Sequence, residues 1–242
     1  MKQKNIFRQV LPAALVILSA AIFTSAQDQS VKQNTRPARV PIAAVQATPV
    51  VPEAVKYTYE FTQPRFYVKH IVIEHDGNGR GKITFERLNE DVPVVDPIEL
   101  SPAALSRITS YWNALQFLDS NTNYQSDRQY EHLGTMRIGM EKGERKRVAE
   151  FNWTHNETVA SLVSEYRKVA DQAILVFDIG LARENQPLNA PKLMEVVESL
   201  LGRSGLSDPN QLLPLLKELS TDEHVPLMAR NHALRLIKKI QK

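Results

Sequence analysis

The chain contains no cysteine among its 242 residues. That absence excludes disulfides, thiol nucleophiles, a lipid-modified cysteine anchor and every zinc or iron–sulfur site built on sulfur. Also missing are the glycine patterns that cradle phosphates and dinucleotides, the G-x-S-x-G nucleophile turn and the HExxH zinc motif. An excess of charge is missing as well. Of the 30 Lys and Arg, three (Lys2, Lys4, Arg8) lie in the first 26 residues, which hold no acid, leaving 27 basic against 27 acidic residues in the rest. A pI near 9.0 for the whole chain is therefore no argument for nucleic acid as a partner.

Long apolar runs are absent except at the start. The basic N-terminus is followed by Val10 to Phe23 (VLPAALVILSAAIF) and then by the small residues Thr24, Ser25 and Ala26. This layout reads as a signal peptide over residues 1–26, cleaved after Ala26. The run is interrupted by Pro12 and falls short of the ~20 residues a spanning helix needs. Export is the expectation, to a periplasmic or extracellular location. The alternative is retention of residues 10–26 as a membrane anchor.

Residues 27–56 carry Pro37, Pro41, Pro49 and Pro52 with no aromatic residue. Fixed φ and missing donors at that spacing oppose helix and central strand alike, so the segment reads as a disordered, partly extended linker. From Tyr57 the texture changes. Tyr57 to Phe61 alternates, and Phe66 to His75 is rich in β-branched and aromatic residues. Asp76 to Gly81 is turn chemistry, and Lys82 to Leu88 alternates again, a hairpin signal. After a proline-bearing extended stretch (Val92 to Leu100), Ser101 and Pro102 cap and open a helix with Leu105, Ile108, Trp112 and Leu115 on one face.

A second round follows in the same order. Thr135 to Glu141 and Arg145 to Trp153 form a hairpin about Lys142-Gly143, aligning Ala149, Phe151 and Trp153 on the inner face. Thr154 and Glu157 read as a capping box opening a long apolar-striped helix through Phe177. The expectation for residues 57–185 is an α+β domain, an antiparallel sheet of two hairpins covered by two helices in ββαββα order. Residues 186–242 read as all-helical. Within them, Leu212 to Ile240 (LLPLLKELSTDEHVPLMARNHALRLIKKI) resembles a HEAT-type repeat: a Leu-rich first helix, Asp222 in the turn, and Arg230-x-x-Ala233-Leu234 in the second helix. The turn is about two residues longer than in that repeat. A single copy implies a three-helix cap with the preceding helix, not a solenoid.

Candidate sites resolve into structural readings. Asp76 to Arg87 tracks a calcium loop at Asp76, Asn78 and Gly81, but Arg80 and Arg87 occupy ligand positions, so a hairpin turn is expected. His70 and His75, five apart on a strand, point to opposite faces, and His224 precedes the helix that holds His232. Gly202-Arg203-Ser204-Gly205 reads as a helix stop, Glu90-Asp91 as a loop, and Lys142 to Arg147 as a basic, solvated hairpin edge. Trp112 and Trp153 are expected in the core. Asn152 and Asn156 head glycosylation sequons at a strand end and a helix start. No catalytic, cofactor-binding or metal-binding residue is assigned, and no cofactor is implied.

The resulting expectation is an exported, non-enzymatic protein acting through a protein partner. No nucleic-acid partner is expected, and a membrane contact only if the N-terminal segment is retained. Two alternatives stand beside it. One is a secreted hydrolase or protease inhibitor, since the sheet-plus-helix arrangement resembles inhibitors of the emfourin type, with a protruding loop at Asp119 to Glu131 or Gly77 to Arg80. The other is an envelope-acting enzyme with a dispersed site. An enzyme should present a concave pocket with converging titratable groups, a scaffold an exposed apolar patch on the Leu-rich helices.

Overall fold

The computed structural model describes residues 54–242, so the segments read as a signal peptide and nearly all of that read as a linker lie outside the described residues. The fold is α+β: a six-stranded antiparallel sheet and five helices, the C-terminal part being mainly helical. The strands are β1 (Val55–Thr62), β2 (Val68–Asp76), β3 (Arg80–Arg87), β4 (Val94–Glu99), β5 (Thr135–Lys142) and β6 (Arg145–Phe151). Their spatial order is β4-β3-β2-β1-β5-β6.

Both expected hairpins form, β2–β3 and β5–β6, but the sheet has two strands beyond them. β1 is the strand that joins the hairpins: it pairs with β2 on one side and β5 on the other, Tyr59 lying opposite Ile73 and Ile138. It starts at Val55, inside the stretch read as linker. β4 is an edge strand and carries Pro97 opposite Lys82. Proline is tolerated there because an edge strand has one row of backbone groups without a ladder partner. In the β2–β3 turn, the Asp76 carboxylate accepts from the backbone N–H groups of Asn78 (2.8 Å) and Arg80 (2.9 Å). Those bonds, led by the one from Arg80, hold its pKa below the usual carboxylate range. The turn is closed by its own backbone, as expected of a hairpin. Gly81, just beyond it, is obligatory, since a Cβ there would meet the Glu74 carbonyl oxygen at 1.8 Å.

Three rows of side chains cross the inner face of the sheet. One runs through Tyr57, His75 and Met140, the next through Tyr59, Ile73, Ile83 and Ile138, the third through Phe61, Ile71, Phe85, Met136 and Phe151. Helix α1 (Pro102–Ala114) brings Trp112 against Tyr57, ring centroids 5.4 Å apart. Its N-cap is Ser101, accepting from Ala104 N–H, and it stops earlier than its apolar spacing suggested, with Gln116 in the left-handed region at φ 43°. Helix α2 (Glu157–Asn185) lays Tyr166 flat on Tyr59, 5.1 Å away and 2° from parallel.

The N-cap of α2 is Asn156, whose side chain accepts from Val159 N–H at 3.0 Å. That corrects the capping box: Thr154 instead bonds the Asn156 N–H, and Glu157 opens the helix. At 29 residues α2 is about 43 Å long, enough to serve two cores. Its first half packs on the sheet, while Leu175 and Ile179 belong to a second cluster with α3 (Ala190–Gly202), α4 (Leu213–Thr221) and α5 (Leu227–Ile240). α5 packs on both α3 and α4, and α3 on α2, so the last three helices make the expected cap. Polar ties lock it in place. Arg183 pairs with Asp222 (2.6 Å) and Glu218 (2.8 Å), and Arg107 of α1 bridges Glu165 of α2 (2.8 Å) and the Ser207 carbonyl (2.7 Å).

Candidate functional site

Between α1 and α2 lies a buried polar chain whose protonation the geometry fixes. His75 Nδ1 sits 2.8 Å from the Asp76 carbonyl oxygen, which can only accept, so Nδ1 carries the proton. Burial holds the His75 pKa below its ordinary value, against the opposing pull of Asp76, so the ring is neutral and its Nε2 accepts. Its donor is the Tyr166 hydroxyl at 2.9 Å, which in turn accepts from Trp112 Nε1–H at 3.1 Å. Burial pushes the Tyr166 pKa far up. Every member of this chain is satisfied and sealed from water, so it specifies the packing of both helices on the sheet.

The third row of the sheet, through Phe61, runs along one flank of α2, with Phe85 packed edge-on to Phe177 of that helix. Beside the flank of α2 it leaves a cavity of about 820 Å³. Phe61, Ile71, Met136 and Phe151 form the floor, and Ala160, Val163, Arg167, Ala170 and Asp171 of α2 form the wall. The β1–β2 turn and the segment after β6 close the ends. The first is anchored by Gln63, whose side chain donates to the Glu131 and His132 carbonyls, both at 2.9 Å. The second is held by the Ser126 N–H donating to the Trp153 carbonyl and by Tyr130 standing edge-on to Trp153.

Three aromatic side chains remain open to solvent at this rim: Phe66 (46% exposed), Tyr67 (61%) and Trp153 (42%). Trp153 was expected in the core with Phe151. The strand ends at Phe151, however, so the two-residue alternation no longer applies and the indole falls at the mouth. Tyr67 is backed by the guanidinium of Arg87, 5.6 Å from its ring, and Arg87 is itself paired with Asp178 of α2 and with Glu90.

The charged residues of the lining are Arg65, Arg167 and Asp171. Neither guanidinium forms a salt bridge among the described residues. Arg167 lies 5.7 Å from the Phe61 ring and donates to the Met136 sulfur, and its charge acts on Asp171 and on the Tyr59 hydroxyl. Desolvation raises the Asp171 pKa, opposed by Arg203 and Arg167. The Tyr59 hydroxyl, buried at the same end, has no hydrogen-bond partner. Its pKa is pushed up by burial and drawn down by Arg167.

Of the residues singled out from sequence, Trp153 and Asn152 line this cavity and the histidines do not. His70 faces away from the helices, between Glu60 (3.2 Å) and Glu86 (3.1 Å); His224 is exposed beside Asp222; His232 pairs with Glu198 across α3 and α5. Among the described residues no group of three or more His, Asp or Glu could hold a metal ion. Ser204, at φ 54°, follows the end of α3. The basic hairpin tip is consumed internally: Arg145 pairs with Asp119, Lys146 with Glu141, and Arg147 stacks on Phe117 while donating to the Phe117 and Thr122 carbonyls.

Sequence reasoning placed Phe66 and Tyr67 in the strand that begins only at Val68, and had no assignment for Arg167 and Asp171. A usable signal existed in two aromatics placed side by side in a turn after Pro64. No protein-family model matches the chain, and no curated protein matches it.

Proposed function

We propose that the chain is an exported, non-enzymatic recognition module, and that its contact with its partner is the aromatic-rimmed cavity beside α2. The observation that carries this reading is the cavity itself: about 820 Å³, apolar in floor and wall, with three solvent-facing aromatic rings at one mouth. Ligand sites typically fall at about 300–1,000 Å³ with an apolar lining and few polar groups. Aromatic side chains left in water are unfavourable unless something covers them.

The chemistry of the lining favours holding over transforming. It offers no histidine, no serine and no second carboxylate beside Asp171, so no nucleophile–base pair is assembled. The inhibitor reading has less support. The Asp119 to Glu131 loop is tied to the sheet through Tyr124, buried to 4%, and through Gln125, which bonds Asn152. The β2–β3 turn is packed under Leu100 and Leu105.

Export rests on the N-terminal pattern alone. Among the described residues no helix is long and apolar enough to cross a membrane. The HEAT-like pair, α4 and α5, serves in this reading as part of the cap that braces α2.

The test is a plug. Ala160 lies on an exposed turn of α2 and lines the cavity, so Ala160→Trp sets an indole across it from the solvent side with little strain on the core. The wild-type protein should bind the neutral fluorophore N-phenyl-1-naphthylamine saturably at one site per chain. Ala160→Trp, with an unchanged melting temperature, should lose that binding at least tenfold. Equal binding by both proteins overturns the assignment of the cavity.

A further inference from the structure

We infer that the cavity's occupant is a single-chain amphiphile, an acyl chain ending in a carboxylate, with its head group held by Arg167 and Arg65. The inference rests on the cavity being the binding site and adds the chemistry of what it binds.

Charge complementarity is the first support. Two guanidinium groups and one carboxylate line an apolar cavity, and neither guanidinium forms a salt bridge among the described residues. An arginine left without an anion beside a desolvated surface is an anion receptor waiting for its counter-charge, and a carboxylate matches its fork.

The apolar lining decides the rest of the ligand. A peptide entering the cavity would bring backbone N–H and C=O groups that each need a partner. The wall has few to give. Asn152 already accepts from Gln125 Nε2, and Thr154 Oγ1 accepts from the Asn156 N–H. Tyr59 contributes a ring stacked on Tyr166, its hydroxyl sealed from solvent. A polymethylene chain makes no such demand. It can lie along Ile71, Met136, Phe151 and Val163 while Phe66 and Trp153 close over it.

The experiment uses the full chain and titration calorimetry at submicellar ligand, with octanoate, decanoate, dodecanoate, dodecanol, dodecyltrimethylammonium and a peptide ending in Leu-Phe-COOH as probes. Affinity should rise about fourfold per added methylene from octanoate to dodecanoate. Dodecanoate should bind about tenfold or more tightly than dodecanol, and dodecyltrimethylammonium more weakly than either. Arg167→Gln should erase the preference, weakening dodecanoate about tenfold more than it weakens dodecanol.

Equal binding of dodecanoate and dodecanol by the wild type overturns the carboxylate assignment but leaves the cavity as a binding site. Tight binding of the peptide without dodecanoate overturns the acyl-chain assignment in the same way. Failure of every probe to bind saturably, with Ala160→Trp indistinguishable from wild type, removes the reading of the cavity as well.

Discussion

Tyr59 and Tyr166 are stacked in parallel, both are almost wholly buried, and the same substitution should affect them in opposite ways. In Tyr166→Phe the ring and its packing stay, but two buried groups lose their partner: Trp112 Nε1–H and His75 Nε2. A buried polar group left unpaired costs about 1–3 kcal/mol, so the pair should cost about 3–4 kcal/mol. For a folded unit of this size that is a fall in Tm of roughly 6–16 °C. Tyr59→Phe removes a hydroxyl that has no partner. Deleting a desolvated, unbonded group should leave stability unchanged or raise it by up to about 1 kcal/mol. The assay is equilibrium urea denaturation, reading a shift in midpoint at constant m-value. A Tyr166→Phe protein within about 1 kcal/mol of wild type, or Tyr59→Phe as the more damaging change, would refute the hydrogen-bond accounting.

Three further outcomes follow from the same structure. His75 has a folded pKa below its ordinary value of 6.5, so the unfolded chain takes up the proton first. Its contribution is complete above about pH 6.5 and is lost as pH falls from there through the folded pKa; ¹⁵N NMR at pH 7 should find a neutral ring protonated on Nδ1, and an imidazolium signal there would contradict this. Arg87→Ala unpairs Asp178 and Glu90 and strips the backing from Tyr67. It should cost about 2–3 kcal/mol by thermal denaturation, below the usual loss for a fully buried pair because Asp178 keeps some contact with water. Asp171→Asn removes the only negative charge of the cavity lining. It should tighten dodecanoate severalfold in calorimetry and leave dodecanol unaffected; no change in either would count against the charge assignment.

The hairpins and the three-helix cap were legible because their signals are local. Alternation, turn residues and i, i+3, i+4 spacing are written in consecutive residues, and Ser101-Pro102 marks a helix start by itself. The two extra strands were harder for opposite reasons. β1 alternates clearly, but the turn after it, Pro64 to Tyr67, lacks the Asp-Gly and Asn-Gly pairs that mark the β2–β3 turn, and its pairing with β5 depends on a partner far along the chain. β4 carries Pro97, which argues against a central strand and says nothing against an edge.

The misplacement of Trp153 has the same origin, for period-two reasoning extends only as far as the strand does. The cavity was invisible because no segment owns it. Its floor comes from four strands, its wall from one side of α2 and its rim from two connecting segments. Arg167 and Asp171, four apart beside the apolar stripe of α2, carry no local signal of a site, because what they face comes from strands distant in sequence.

Native mass spectrometry of the full-length expressed protein, wild type beside Ala160→Trp, puts the cavity's occupancy to the most direct test. After incubation with dodecanoate, the wild type should carry one added molecule per chain and the plugged variant none. An unliganded wild type, or the same added mass on both proteins, would contradict the account.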